Sequence, residues 1–347
     1  MATLFMEGWE NYGTGELGDA SLGTNDYAQS GGSSGTSVSS SSPRNGSQHL
    51  DLPNGRPFFR LFPNSGSSRD IGMHWATSNE DTASAQALTT NSFDSNLAGV
   101  GVADGGNETS DEHLMIVPQQ GGTWILVRNG TTLATSSAFS QTTYVSHDVT
   151  FNGDTGAWSW QINGVQSFSG TTTVLPGGAA FDRLCLGIRG GSMHVDDVYI
   201  RDTDTHVGDV FVSYIFPASD VGSDQDYTLS TGSDASALID ETSPSDADFI
   251  EAATAGDTST FNMTNPTEDI GAVFSVGIKT RALKSDAGAS SQRANVVSSS
   301  STANGTTRAL AQTAVLYDDY FDLDPNGNIA WSDASIDALQ VQFERTV

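Results

Sequence analysis

The sequence contains almost no cysteine, since Cys185 is the single one among 347 residues. An intrachain disulfide is therefore excluded, and with it the class of small secreted modules that disulfides hold together. Cys185 lies within an apolar run, where a lone cysteine packs as a small hydrophobic side chain. We expect it to be a core residue and not a nucleophile.

Basic residues are also scarce. The chain has 14 lysines and arginines against 42 aspartates and glutamates, which gives a formal net charge of −28. Nucleic-acid binding depends on basic side chains that neutralise phosphates, so this charge argues against a nucleic-acid partner. The same charge favours solubility and repels anionic membranes.

Long hydrophobic runs are absent from the sequence as well. No apolar stretch approaches the length that is needed to cross a bilayer. Residues 1–6 carry no basic region and no extended apolar segment, so we expect no signal peptide and no membrane insertion.

What the sequence does contain is a series of short β-type runs over 121–202. Apolar and polar residues alternate at 157–162, as expected for a strand with one buried face. Asn129-Gly130 and Asn163-Gly164 separate such runs, and Asn-Gly is a strong signal for a tight hairpin. The pattern predicts successive antiparallel strands in a β-sandwich.

The order of these pieces resembles a known family. A strand and hairpin come first, followed by Gly-Ala-Trp-Ser-Trp-Gln-Ile-Asn-Gly-Val at 156–165 and His-Val-Asp-Asp-Val-Tyr-Ile at 194–200. This order is similar to the concanavalin A-like, laminin-G-like jelly roll found in tailed-bacteriophage virion proteins. The resemblance implies an all-β chain whose residues 1–205 form a jelly-roll sandwich. The segment 203–208 is polar and short, so we place the domain boundary there and predict a second, smaller β-rich assembly domain over 206–347.

The same resemblance implies a non-enzymatic structural protein on the exterior of the virion. It would be a capsid decoration (cement) protein or a component of a tail or neck fibre. Its partners would be other virion proteins, and docking on a symmetric shell or tail favours a homo-oligomer, with a trimer preferred. Because fold does not fix function, the alternative is a carbohydrate-binding adhesin that recognises host surface glycans.

The second region should contain further strands and little helix. We expect an acidic surface loop over 219–260, because this segment has many carboxylates and few large apolar residues. Residues 331–339 favour a short helix whose N-cap lies near Ser332. The strand predictions for this region are 209–216, 270–283, 306–317 and 339–346.

Two features that could indicate catalysis are weak. Asp196 and Asp197 are adjacent, so on a strand they should face opposite sides and cannot flank one sugar bond as the carboxylates of a glycosidase do. The Gly-x-Ser-x-Gly match at 31–35 lies in a Gly/Ser-rich run, without the strand and helix of a nucleophile elbow. We therefore expect no enzymatic activity.

A lectin-type site needs an exposed aromatic ring that stacks on the sugar. The candidate carbohydrate-binding residues are Trp75, Trp124 and Tyr199, and Tyr27 is also available. Residues of these types are more often part of a core, so the two roles remain open for each of them.

The strongest ion-binding pattern lies near the C-terminus. Oxygen-bearing side chains alternate there as in a calcium loop, with Gly327 at the sharp turn. The candidate ligands are Asp322, Asp324, Asn326, Asn328 and Asp333. Pro325 is unusual inside such a loop, and Asp-Pro-Asn-Gly is also a good β-turn. His194 and Asp196 share a strand face, but two ligands do not make a zinc site.

Overall fold

The computed structural model describes most of the chain. The described residues are 2–9, 15–16, 28–29, 37–41, 43–44, 48–52, 58–61, 70–79, 99–103, 113–119, 121–140, 143–177, 179–187, 193–242, 245–266 and 271–347. They form 26 strands, numbered β1–β26 in chain order, together with one short α-helix. The prediction of an all-β fold is confirmed. None of the helical residues in these ranges forms a helix long and apolar enough to cross a membrane.

The described chain divides into two compact units. Unit 1 ends at Val212, and unit 2 comprises Ser213–Val347. The boundary between the units therefore falls after the position predicted from the polar 203–208 segment, because that segment bonds to side chains of unit 1.

One sheet of unit 1 has nine strands, in the order β14-β13-β12-β7-β16-β5-β4-β2, and β1 pairs with β16. Its strands are β1 Thr3–Glu7, β2 Gly15–Glu16, β4 Ser37–Ser39, β5 His49–Leu52, β7 Asp70–Asn79, β12 Val145–Asn152, β13 Ala157–Ile162, β14 Gln166–Thr171 and β16 Met193–Arg201. All of the pairings that the structure gives within it are antiparallel.

The other sheet of unit 1 has seven strands, in the order β11-β10-β9-β8-β15-β6-β3. Its strands are β3 Ala28–Gln29, β6 Phe58–Leu61, β8 Gly99–Ala103, β9 His113–Pro118, β10 Trp124–Arg128, β11 Thr131–Thr135 and β15 Arg183–Gly187. The two sheets pack together, as the Trp124 ring on β10 lies 4.9 Å from the His147 ring on β12.

The Asn-Gly pairs form the predicted turns. Asn129 and Gly130 have φ values of 47° and 75°, and Asn163 and Gly164 have values of 50° and 64°. Positive φ at both central residues matches the right-handed twist of paired strands. The turns connect β10 to β11 and β13 to β14.

Several strands of unit 1 are buried on both faces, whereas the sequence predicted one buried face per strand. Every residue of β9, β10 and β16 is buried. On the seven-stranded sheet, the face that carries Met115, Val127 and Cys185 forms a core cluster of its own. Cys185 is fully buried, which confirms its prediction as a core residue.

Unit 2 is also built from antiparallel strands. A six-stranded sheet has the order β17-β20-β26-β22-β23, with β24 on β22, and β18 pairs with β19 and β21 with β25. The strands are β17 Pro217–Gln225, β18 Thr228–Leu229, β19 Ile250–Glu251, β20 Thr258–Met263, β21 Val276–Ala282, β22 Ser291–Ser298, β23 Ser301–Ala303, β24 Arg308–Ala309, β25 Val315–Phe321 and β26 Gln340–Arg345.

Two predictions for unit 2 are confirmed. Helix α1 spans Asp333–Asp337, and the Ser332 side chain caps it by accepting a hydrogen bond from the Ser335 N–H. The last strand is β26, within the predicted 339–346. Ile336 of the helix packs in a core with Trp331 and Val341.

The predicted acidic loop over 219–260 is only partly correct, because β17–β20 place 14 of its 42 residues in strands. Its carboxylates hold its own turns in place. Asp220 accepts hydrogen bonds from the Ala235 and Ser236 N–H groups. Asp224 accepts hydrogen bonds from the hydroxyls of Thr258 and Thr260. These bonds order a segment that has few apolar anchors.

The predicted strand over 209–216 is also wrong, since β17 begins only at Pro217. The Val210 N–H donates to His74 and the Val212 N–H donates to Asp197. The backbone of this segment therefore bonds to side chains and does not join a strand ladder. The predicted strand over 270–283 is shortened to β21, which pairs antiparallel with β25.

A neutral histidine lies at the centre of unit 1. The His147 Nε2 lies 3.1 Å from the Thr77 hydroxyl, and its Nδ1 accepts the Trp160 indole N–H at 3.4 Å. Because Trp160 can only donate, Nε2 carries the proton of the imidazole. Burial and the nearby His74 lower the pKa of His147 to about 3.

This burial predicts acid-sensitive stability. The unfolded chain takes up a proton at His147 near its ordinary pKa of 6.5, whereas the folded chain does so only at about 3. More protons are therefore bound by the unfolded state between these values, and stability falls as the pH drops through this window. We expect His147→Gln to make the free energy of unfolding less pH-dependent, by up to about 1.4 kcal/mol per pH unit. Urea titrations at several pH values measure this, and parallel profiles for both proteins would contradict it.

Candidate functional site

The polar centre of unit 1 lies on one face of the nine-stranded sheet. Side chains alternate along β12, so Val149 lies on the inner face while Asp148 lies on the outer face. His74 and Asp148 pair across β7 and β12, and His74 pairs with Tyr199 of β16. All three are buried. The segment 203–212, which we call the strap, bonds to several groups of this face.

Asp148 is the main anchor of the strap. Its Oδ2 accepts the N–H groups of Val207 and Gly208, both at 2.8 Å. Its Oδ1 lies 3.1 Å from the His206 Nδ1 and 3.8 Å from the Arg201 Nη2. The carboxylate is 4% exposed, and the two backbone N–H groups on Oδ2 compensate part of the loss of its hydration.

A second anchor consists of Asp196, Asp197 and Arg44. The Asp196 Oδ2 accepts the Arg44 N–H at 3.0 Å, and the Asp197 Oδ2 accepts the Arg44 Nη1 at 2.9 Å. The Asp197 Oδ1 accepts the Val212 N–H at 2.8 Å. Burial raises the pKa of Asp197, while the charge of Arg44 opposes the rise.

This anchor corrects the expectation that Asp196 and Asp197 face opposite sides. Asp197 has a φ of 52°, and the pairing of β16 with β7 shifts register between Asp196 and Tyr199. A bulge of this kind breaks strand alternation and redirects side chains. Both carboxylates consequently meet the same residue, Arg44.

The third anchor is Asp209 of the strap itself. Its Oδ1 contacts the Arg44 Nη2 and lies 3.3 Å from the His74 Nε2. Partial burial alone would raise the pKa of Asp209, but the neighbouring His74 and the ion pair with Arg44 lower it to about 2. The ion pair of Asp209 with Arg44 is therefore retained through mildly acidic pH.

The contacts among three side chains resemble those of a hydrolytic triad, in which a serine contacts a histidine and the histidine contacts an aspartate. The residues are Ser159, His206 and Asp148. The Ser159 hydroxyl lies 2.8 Å from the His206 Nε2, and the His206 Nδ1 lies 3.1 Å from Asp148. A nucleophilic serine also needs backbone donors for the oxyanion. The Ser159 hydroxyl donates to the Phe168 carbonyl at 3.3 Å, so its proton is engaged within the sheet. We interpret the three residues as a further attachment of the strap. Sequence reasoning missed them because they are distant in the chain.

The predicted carbohydrate-binding rings lie in the core. Trp75 is 0% exposed, Trp124 4% and Tyr199 3%. Trp75 and Trp124 both pack against His147, and the Tyr199 hydroxyl bonds to Thr3. A ring without an open face cannot stack on a sugar, so the structure corrects their role to packing. Tyr27 lies outside the described residues.

The predicted calcium loop does not gather its ligands. The Asp324 carboxylate is buried and accepts the Asn326 N–H at 2.8 Å, and the Asp324 N–H donates to the Ile329 carbonyl. The sequence here forms the tight turn that was the alternative. Asn326, Asn328 and Asp333 are exposed, while Asp322 is half-buried. Over the described ranges, no three His, Cys, Asp or Glu side chains are placed to hold a metal ion.

His194 and Asp196 also have partners other than a metal. The His194 ring lies 4.2 Å from the His49 ring, and its Nε2 lies 3.9 Å from Asp51. Burial and the neighbouring His194 lower the pKa of His49 to about 4. The Gly-x-Ser-x-Gly match at 31–35 falls outside the described residues.

Comparisons with known proteins give only a distant likeness. No family model matches the chain, and no curated protein matches it. A mutant Trypanosoma rangeli sialidase with trans-sialidase activity is 10% identical over 49% of this chain and 27% of its own, with a TM-score of 0.36. The VIP36 exoplasmic/lumenal domain, in its Ca²⁺/Man3GlcNAc-bound form, is 11% identical over 52% of this chain and 84% of its own, with a TM-score of 0.33.

The chain thus spans about a quarter of the length of that sialidase. The sequence identities and TM-scores of both similar structures are too low to support a conclusion about function. They say nothing about the chemistry of the strap.

The close contact of the strap with β7 gives a test. A Cβ at Gly72 would lie 2.6 Å from the Arg201 Nε and 2.7 Å from the Thr203 carbonyl oxygen. Because one of these atoms is backbone, we expect Gly72→Ala to lower the free energy of unfolding by about 1–3 kcal/mol.

The matched control is Gly177→Ala, since a Cβ at Gly177 would have no atom within 4 Å. Urea unfolding of both variants and the original protein measures the difference. Equal free energies of unfolding for the two variants would show that the strap does not pack closely against β7 at Gly72.

Proposed function

We propose that the protein is a non-catalytic structural component of the exterior of a tailed-bacteriophage particle, either a capsid decoration protein or part of a tail or neck fibre. The observation that supports a non-catalytic role is the state of the buried carboxylates. Asp148, Asp196 and Asp197 all accept hydrogen bonds from the chain's own groups. A glycosidase needs a carboxyl pair that reaches the substrate.

The placement on a virion is supported by the sequence resemblance and by the architecture. The chain forms a β-sandwich followed by a second β unit, and its single cysteine is buried and free, so no disulfide holds the fold. The net charge of −28 repels packaged nucleic acid, which suits the outside of a particle better than its inside.

The three aromatic residues predicted to bind a carbohydrate in the adhesin alternative have no ring face open to a sugar. Trp75, Trp124 and Tyr199 are buried, and no other feature of the described residues favours a sugar over a protein partner. We therefore do not propose a glycan as the ligand.

The proposal predicts where the protein is found. Phage particles purified from a lysate should contain the chain in fixed stoichiometry, and antibodies against the folded protein should label intact particles. Quantitative mass spectrometry and immunogold microscopy measure the two properties. Recovery of the chain only in the particle-free supernatant would contradict a structural role.

The proposal also predicts an absence of turnover. Because the candidate acids are engaged internally, the purified protein should leave bacterial polysaccharides intact. Reducing-end assays on capsule and lipopolysaccharide preparations measure this. Release of reducing ends by the original protein and its loss in Asp148→Asn or Asp196→Asn would overturn the non-catalytic assignment.

A further inference from the structure

Two long stretches of unit 1 carry no charge. Residues 129–147 and 155–181 contain no Asp, Glu, Lys or Arg, although charged residues make up 16% of the chain. At that average, stretches of this combined length would carry about seven charged side chains. Such gaps are notable in a chain whose net charge is −28.

The fold brings both neutral stretches to one end of the sandwich. The first contains β11, the terminal strand of the seven-stranded sheet, and the second contains β14, the terminal strand of the nine-stranded sheet. The Gln166 side chain of β14 accepts the Ser137 N–H at 3.2 Å. The two sheet edges are therefore joined here and present an uncharged surface.

β14 has the features of an edge that accepts another strand. Among the described residues, β13 is the one strand that pairs with it, and that pairing runs without a register shift from Gln166 to Thr171. Natural sheets protect such edges with lysine, proline, inward charges or bulges. β14 contains neither charge nor proline, whereas the pairing of β11 with β10 has a bulge.

Apolar side chains flank the same edge. Val165, in the turn before β14, is 86% exposed, and Val174, just after it, is 49% exposed. Ser167, Ser169 and Thr171 on the strand are exposed as well. Backbone groups between neutral, partly apolar side chains are what strand addition requires.

We propose that β14 is a self-association edge, which pairs antiparallel with β14 of a second copy of this chain. The charge distribution selects this occupant. Two chains of net charge −28 repel each other over most of their surfaces, and the neutral end of the sandwich is where this repulsion is weakest. Pairing of identical edges is isologous and closes with two-fold symmetry, so the product is a dimer and not the trimer predicted from the sequence.

The test is the oligomeric state of the full chain and its variants. Sedimentation equilibrium at micromolar concentrations should show a dimer for the original protein. Ser169→Glu places like charges close together across the new strand pair, which destabilises the pairing. We expect the dissociation constant to rise by at least about tenfold, which corresponds to about 1.4 kcal/mol.

Two controls separate charge at the edge from other effects. Ser169→Ala keeps the edge neutral and should leave the dimer intact. Ser300→Glu adds the same charge in the exposed turn between β22 and β23, and it should also leave the dimer intact. Circular dichroism checks that each variant is folded. A monomeric original protein, or an oligomer that Ser169→Glu does not weaken, overturns the proposal.

Discussion

The packing of unit 1 depends on one buried carboxylate. Asp148 holds the strap by two backbone N–H groups and faces His206 and Arg201 at the same time. A buried acid without these donors would cost several kcal/mol, and a strap without the acid would leave its own amides unpaired. Each element therefore requires the other. This mutual requirement explains why a short polar segment, which resembles a linker in sequence, is part of the folded unit.

The second anchor also consists of buried acids that accept hydrogen bonds, and an irregular backbone conformation of β16 brings these acids together. A regular strand would direct Asp196 and Asp197 to opposite faces. The left-handed conformation of Asp197 costs conformational energy, and its hydrogen bonds with Arg44 and the Val212 N–H compensate for this cost. The strap is thus fixed near its middle by an acid of β12 and at its C-terminal end by an acid of β16. Acidic residues, which are so abundant in this chain, act here as internal connectors.

Much of the fold could be predicted from local patterns, whereas the polar centre could not. Asn129-Gly130 and the Ser332 cap depend on residues that are close in sequence, and both were predicted correctly. The contacts of Asp148 with the strap join residues 59 and 60 positions apart, and no local pattern indicates them. For Trp75 and Trp124 the sequence permitted exposure or burial. Only the three-dimensional packing around His147 decided between them.

The positions of the charged residues in this chain depend on their roles in the fold as well as on their exposure to solvent. Acids are placed where backbone donors need acceptors, as at Asp148 in unit 1 and Asp220 in unit 2. They are absent from the stretches that contain β11 and β14. General solubility would be served equally well by acids at these edges, and edge charges are the usual protection against unwanted pairing. Their absence at β14, on a chain so acidic elsewhere, therefore marks this edge as a surface where close approach of another strand is tolerated.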